Sequence, residues 1–217
     1  MLEEVLALVA PPACAVCGDG CEVRRRMCER CDAALRRMPP VTSAVPGLDQ
    51  VWSAAPYEGA ARRLIGALKF GSRLGLAEEA ATLIAGRLPG EFLDGTIVPV
   101  PPAPLRRRHR GFDSAQAIAA ALARRTGLPL VPCLARSQSP RQVGRRRAER
   151  LADPPRVRVV SPPPSQALLV DDVTTTGATL AACAEALRAA GVIHVAAITF
   201  AASRSVRAPL GERPVAA

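Results

Sequence analysis

The residues best placed to do chemistry are two adjacent carboxylates, Asp171 and Asp172, at the end of the apolar run Ala167-Leu168-Leu169-Val170. After them come Thr174, Thr175, Thr176, Gly177 and Thr179, and then a segment of helical period. In an open parallel sheet, ligands bind beyond the carboxyl ends of the strands, where the next helix offers free backbone N–H groups and the positive end of its dipole. A phosphate suits that position. Threonine hydroxyls add hydrogen bonds to it, and Gly177 permits a tight turn that a side chain would obstruct. One sugar's length away, carboxylates can accept hydrogen bonds from vicinal ribose hydroxyls, directly or with a hydrated Mg²⁺ nearby. Neighbours on an extended strand point to opposite faces, so both acids serve one ligand only if the strand ends at them. The plain alternative is a buried strand and a Thr-capped helix with two acids at its mouth by chance, although a buried Asp pair without partners is costly.

Other phosphate motifs are missing. There is no G-x-x-x-x-G-K-[ST] and no G-x-G-x-x-G, and the one lysine, Lys69, lies far from the threonines in sequence. That lysine stands out in a chain whose 29 basic residues are otherwise arginine. A site needing a compact point charge keeps lysine, so Lys69 is a candidate ligand contact; equally, it can snorkel at a helix end.

A second cluster has metal-ligand spacing. Cys14-x-x-Cys17 and Cys28-x-x-Cys31 are two knuckles separated by ten residues, which suits four thiolates around a tetrahedral Zn²⁺. Four protein ligands leave no open position, so such a metal is structural and folds a segment poor in core residues. Cys21 lies between the knuckles and could replace a ligand or stand by; Cys133, Cys183 and His194 read as packing residues. Arg24 to Arg26 on the knuckle loop would serve either as solvated charge or as phosphate contacts to a nucleic acid. No aromatic platform is interleaved with them.

The acid and threonine segment resembles the phosphoribosyl-diphosphate motif of type I phosphoribosyltransferases. With the cysteine knuckles, Val98-Pro99-Val100-Pro101-Pro102, Arg110-Gly111-Phe112 and the surroundings of Tyr57 and Lys69, the chain from Cys14 to Phe200 is similar to the ComF family of competence-associated proteins. The resemblance implies a phosphoribosyltransferase domain behind a zinc module. It also implies Mg²⁺-assisted transfer of ribose 5-phosphate from phosphoribosyl diphosphate to a nitrogen nucleophile, with inversion at the anomeric carbon, and a link to DNA uptake. Asp171 and Asp172 would then hold the ribose, Thr174 to Gly177 with Thr179 the 5-phosphate, and Arg110 with Gly111 the pyrophosphate. Arg106 to Arg108 would join them, face a nucleic acid or remain solvated. The stretch from Arg136 to Asp153, with Gln142 and Arg145 to Arg147, stands where a mobile lid is expected. Asp113 and Ser114 replace the asparagine and glutamine usual in the family, and Arg145 and Asp153 replace leucine and asparagine. An acid among phosphate-binding arginines would weaken anion binding, so Asp113 is expected to cap the following helix instead.

These residues need a scaffold. Strands are expected near residues 51–57, 96–99, 128–132, 167–171 and 192–200. Helices are expected over 60–70, 74–88, 114–126 and 178–190, with Gly127 and Gly191 where C-terminal caps belong. This βα rhythm predicts an α/β fold with a parallel sheet flanked by helices. The expected division is an N-terminal helix and cysteine module over 1–50, a phosphoribosyltransferase-like domain over 51–202 and a tail over 203–217. Between residues 134 and 166 only a short strand near 157–160 is suggested. A total of 217 residues suits one such domain with a small appendage.

A formal charge of +10 favours an anionic partner without choosing among metabolite, nucleic acid and membrane surface. No run approaches the roughly 20 apolar residues of a membrane helix. Seven cysteines, four of them in knuckles, fit a reducing compartment and hence the cytoplasm. The competing function is a non-catalytic adaptor that binds the diphosphate or contacts DNA. No motif specifies the acceptor nucleophile or an oligomeric state.

Overall fold

The computed structural model describes residues 13–22, 25–70, 75–102, 113–136 and 156–206. Arg24, Arg106 to Arg108, Arg110, Gly111, Gln142, Arg145 to Arg147 and Asp153 lie outside them, as do the expected N-terminal helix and the last part of the tail.

Five strands form the centre: β1 (Val41–Ser43), β2 (Gln50–Pro56), β3 (Thr96–Pro99), β6 (Gln166–Thr174) and β7 (His194–Ala202). They make a mostly parallel sheet in the order β1-β2-β7-β6-β3. Only β1 runs antiparallel, against β2. The parallel strands read as continuous Val, Ile, Leu and Ala because both faces are covered. On β6, Leu168 and Val170 join one apolar cluster while Ala167 and Leu169 join another; on β7, Ala196 and Ile198 part from Val195 and Ala197 in the same way. This period of two assigns the helices to layers. Helices α2 (Gly59–Phe70), α3 (Gly75–Ala85) and α4 (Ser114–Thr126) bury Leu64, Leu68, Leu76, Ile84, Ile118 and Leu122 on the first face. Helix α5 (Ala178–Ala189) buries Leu180, Ala184 and Leu187 on the second. The result is the expected mixed α/β architecture.

The caps follow from residue type. Asp113 accepts hydrogen bonds from the backbone N–H groups of Ala115 and Gln116 at 3.0 and 3.3 Å, so it caps α4 as its chemistry predicts. Gly127 closes that helix in the left-handed conformation (φ 76°). Gly191 (φ 88°) stands one residue past Ala190, the cap of α5.

Three elements differ from the sequence expectation. Residues 128–132 form no full strand; they touch the sheet through an isolated parallel bridge between Ile97 and Leu130, in a stretch interrupted by Pro129 and Pro132. The edge strand β1 is hidden in the sequence by its flanking Pro39-Pro40 and Pro46-Gly47 pairs. A two-stranded antiparallel ribbon joins β4 (Leu134–Arg136) to β5 (Val157–Val159), and the sequence suggests only its second strand.

Helix α1 (Glu29–Arg37) begins inside the second knuckle, and Cys14, Val16, Met27, Cys31 and Leu35 pack in the first-face cluster. Arg87 ties it to the sheet: its guanidinium donates to the carbonyls of Met38 at 2.7 Å and Ala54 at 3.0 Å, and also to that of Arg36. A cation there satisfies carbonyls left over at a helix C-terminus.

Candidate functional site

The cysteine cluster is built locally. The Sγ atoms of Cys14, Cys17, Cys28 and Cys31 lie within 4.8 Å of one another, with Cys17 and Cys28 at 3.7 Å. Sulfurs about 2.3 Å from a tetrahedral zinc are separated by roughly that distance, so the four could hold a metal such as zinc. Burial pushes the Cys14 thiol up, but backbone N–H groups of Cys28, Cys17 and Val16 outweigh it and bring it down to about 6. Two of those donors, from Cys28 and Val16, stand at 3.3 and 3.4 Å from the sulfur. Stabilising a thiolate in this way prepares a ligand. Burial, followed by hydrogen bonds with Cys17, Cys28 and Cys14, raises the Cys31 thiol instead. Cys21 lies outside the tetrad and donates to the Arg25 carbonyl at 3.5 Å.

The carboxylate site is assembled from distant segments. Strand β6 does not end at the acids but runs on to Thr174, because Val173 and Thr174 stay in register with Ala201 and Ala202 of β7. The two side chains therefore turn to opposite faces. Asp172, on the face of α2 and α4, is 9% exposed and accepts from Lys69 Nζ at 2.7 Å, while Lys69 is itself only 15% exposed. The other carboxylate oxygen of Asp172 accepts from the Ser114 hydroxyl. Lys69 sits in the last turn of α2, where a helix favours positive charge.

Asp171, on the face of α5, accepts the backbone N–H of Asp172 at 2.8 Å. Some of its surface still meets solvent, yet protein surrounds it. That burial, and next the neighbouring Asp172 carboxylate, push its carboxyl up to about 8. It therefore favours the neutral acid through most of the acidic and neutral range.

The threonines divide as well. Thr174 is buried, with its hydroxyl 3.4 Å from that of Thr199, which in turn lies 2.7 Å from Ser53 Oγ; it belongs to the sheet interior. Thr175 and Thr176 are exposed on the loop that follows. Ser203 and Ser205 fix this loop from below by donating to the Thr175 carbonyl at 2.7 and 2.6 Å. Gly177 begins α5 with φ 77°, and a Cβ there would stand 2.8 Å from Val45 Cγ2, so both conformation and space require glycine. As N-cap it offers no side-chain acceptor to the first turn of α5; the exposed Thr176 hydroxyl accepts the Ala178 N–H at a long 3.4 Å. Thr179, in the first turn, accepts from Arg136 of β4 at 2.9 Å.

The structure thus joins Lys69, Ser114 and Asp172 on one face of the sheet, while Asp171 turns to the face of α5, whose Thr179 meets Arg136. Arg110 and Gly111 lie outside the described residues. Sequence reading misses Ser114 as a partner because its link to Asp172 spans 58 positions with no local signature. In sequence Arg136 reads as the first residue of a lid; its β-strand neighbour Leu134 is the available signal for its placement.

In the cysteine module Arg25 pairs with Glu22 and Glu29, Arg30 with Asp19, and Arg36 with Asp32. Among the described residues no helix is long and apolar enough to cross a membrane.

No protein-family model matches the chain. No curated protein matches it either. Among solved structures it is similar to the orotate phosphoribosyltransferase from Aeropyrum pernix, at 23% sequence identity and a TM-score of 0.35, over 64% of this chain and 62% of that one. The chain spans 62% of the length of that enzyme.

Proposed function

We propose that the chain binds phosphoribosyl diphosphate as its Mg²⁺ complex and transfers ribose 5-phosphate to a nitrogen nucleophile, as its resemblance to the ComF family implies. The observation that carries this reading is the strand end itself. Asp171 points to the same face as α5, whose glycine-capped first turn and exposed Thr175 and Thr176 offer N–H and hydroxyl donors. A phosphate seated on that turn would put the attached sugar at Asp171. As a neutral acid Asp171 can both donate to and accept from a ribose hydroxyl. Thr174 supports the loop from inside, and Asp172 acts from the opposite face through the strand it shares. Arg110 and Gly111 remain the proposed contacts for the pyrophosphate, where positive charge would stabilise the leaving group. Arg136, beside Thr179, adds a cation at the phosphate end.

The transfer breaks the bond from the anomeric carbon to the pyrophosphate oxygen and forms one to nitrogen. The leaving oxygen keeps the electron pair, and the nucleophile gives up its proton to the released pyrophosphate or to water. In this reading the 1–50 module is a structural zinc unit in front of the 51–202 catalytic unit. Contact with DNA is the weaker alternative, because three arginines of the cysteine module, Arg25, Arg30 and Arg36, are paired with carboxylates.

Calorimetry with phosphoribosyl diphosphate and Mg²⁺ tests binding, and pyrophosphate release with a panel of bases and amines tests turnover. Saturable binding lost in Asp171→Ala and in Thr176→Val is expected. Equal binding by the native chain and both variants sinks the reading. Binding without pyrophosphate release under any acceptor would reduce it to a sensor or adaptor.

A further inference from the structure

We infer that Lys69 is the resident cation of the acid pair, holding through Asp172 the charge position that a protein-bound divalent metal would need. This deepens the proposal for the same site and rests on it only for the identity of the ligand. A metal such as Mg²⁺ takes near-octahedral oxygen coordination through one or two carboxylates. The carboxylates present do not fit that demand. Both oxygens of Asp172 are engaged, one by the Lys69 ammonium at 2.7 Å and the other by the Ser114 hydroxyl. The Oδ1 of Asp171 accepts a backbone N–H, and the two side chains leave the strand on opposite faces. Any magnesium accompanying the diphosphate would then be coordinated by the ligand rather than by this pair, while the protein keeps its own fixed charge at Asp172.

Three independent features agree on Lys69. It is the one lysine among 29 basic residues, and its ammonium is a compact point charge on a flexible stem. It extends from the last turn of α2, where the dipole favours a cation. It is also largely buried against its partner, so the pair is shielded from screening by salt. Lys69 is a positioning residue, since it acts through Asp172.

Mn²⁺ binding to the full zinc-loaded chain, followed by electron paramagnetic resonance without any diphosphate, is the test. The native chain and Lys69→Arg should show no Mn²⁺ site that depends on Asp171 or Asp172. Lys69→Gln should acquire one, tightening Mn²⁺ by about tenfold or more, a gain of ~1.4 kcal/mol. Adding Asp172→Asn should abolish that gain. A purely structural lysine would cost stability without creating a metal site. If Lys69→Gln is folded and gains no Mn²⁺, the inference is overturned. Should that variant not fold, the native chain decides: native Mn²⁺ binding that disappears in Asp172→Asn or Asp171→Asn overturns the inference, and its absence supports it. Because no diphosphate is present, the result is separate from the calorimetric test of ligand binding.

Discussion

The cysteine cluster and the acid site solve the same problem, holding charge inside a small protein, in opposite ways. The four thiols come from Cys14 to Cys31, a single short stretch whose backbone N–H groups already point at sulfur. The acid site collects Lys69, Ser114 and Asp172 from three elements, with partners 103 and 58 positions apart. A cluster drawn from one short stretch could be completed by a metal that ties its loops together, whereas an assembled one exists because the sheet and helices are already packed. Loss of the metal should therefore be felt first as folding, and loss of an acid-site residue first as local electrostatics.

The largest effect separating the two is expected from metal removal. Cys31→Ser or a strong chelator should release one zinc per chain, by elemental analysis, and lower the melting temperature more than any change at the acid site. Structural zinc contributes roughly 10–16 kcal/mol to isolated finger peptides, and part of that should appear here. Cys21→Ser should keep the metal, since Cys21 lies outside the tetrad.

Next comes Asp172→Ala, which leaves the Lys69 ammonium largely buried without its partner. Denaturant unfolding should show a loss of about 3–5 kcal/mol. Replacing Lys69 with Met in the same chain should recover much of it, because both charges are then gone. A loss under ~1 kcal/mol would place the pair with ordinary surface ion pairs and erase the contrast with the thiol cluster.

Asp171→Asn should act through pH. Its carboxyl is raised in the folded chain from 3.8 to about 8, so the folded state binds the proton more tightly than the unfolded state does. Its stabilising contribution is complete below about pH 4 and is lost as pH rises toward 8. Thermal melts across that window should fall for the native chain, and the Asn variant should lack this component and be the more stable of the two at pH 8. Parallel curves would mean that Asp171 titrates as an ordinary acid. The smallest effect is expected for Asp113→Ala, about 1 kcal/mol from the lost cap of α4. Phosphoribosyl-diphosphate affinity should be unchanged if Asp113 is only a cap.

The same contrast explains what can be read from the amino acids. The thiol cluster is legible in its spacing alone, and so is the capping role of Asp113, since both depend on residues a few positions apart. The βα rhythm reveals the sheet because strands buried on both faces announce themselves as apolar runs. The side-chain directions at the acid pair are not legible. Val173 and Thr174 suit a strand by propensity, but whether they extend β6 depends on Ala201 and Ala202 of β7 lying alongside. Partners of Asp172 are equally hidden, because nothing near Lys69 or Ser114 in sequence points to residue 172. The ribbon strand β4 escapes notice at three residues, too short for its alternation to be read.

That ribbon has an evolutionary consequence. Leu134 stands opposite Val159 and Arg136 opposite Val157, so the two ends of the intervening connection lie side by side. Joining two ends already held side by side costs little more for a longer connection, about 0.6 kcal/mol per doubling of a flexible one. The segment inserted between Arg136 and Val157 can thus change in length and composition without disturbing the register of the central sheet. With Arg136 touching Thr179, that tolerance is located beside the first turn of α5. Relatives of this chain could diversify that connection while inheriting the register of the neighbouring strands intact.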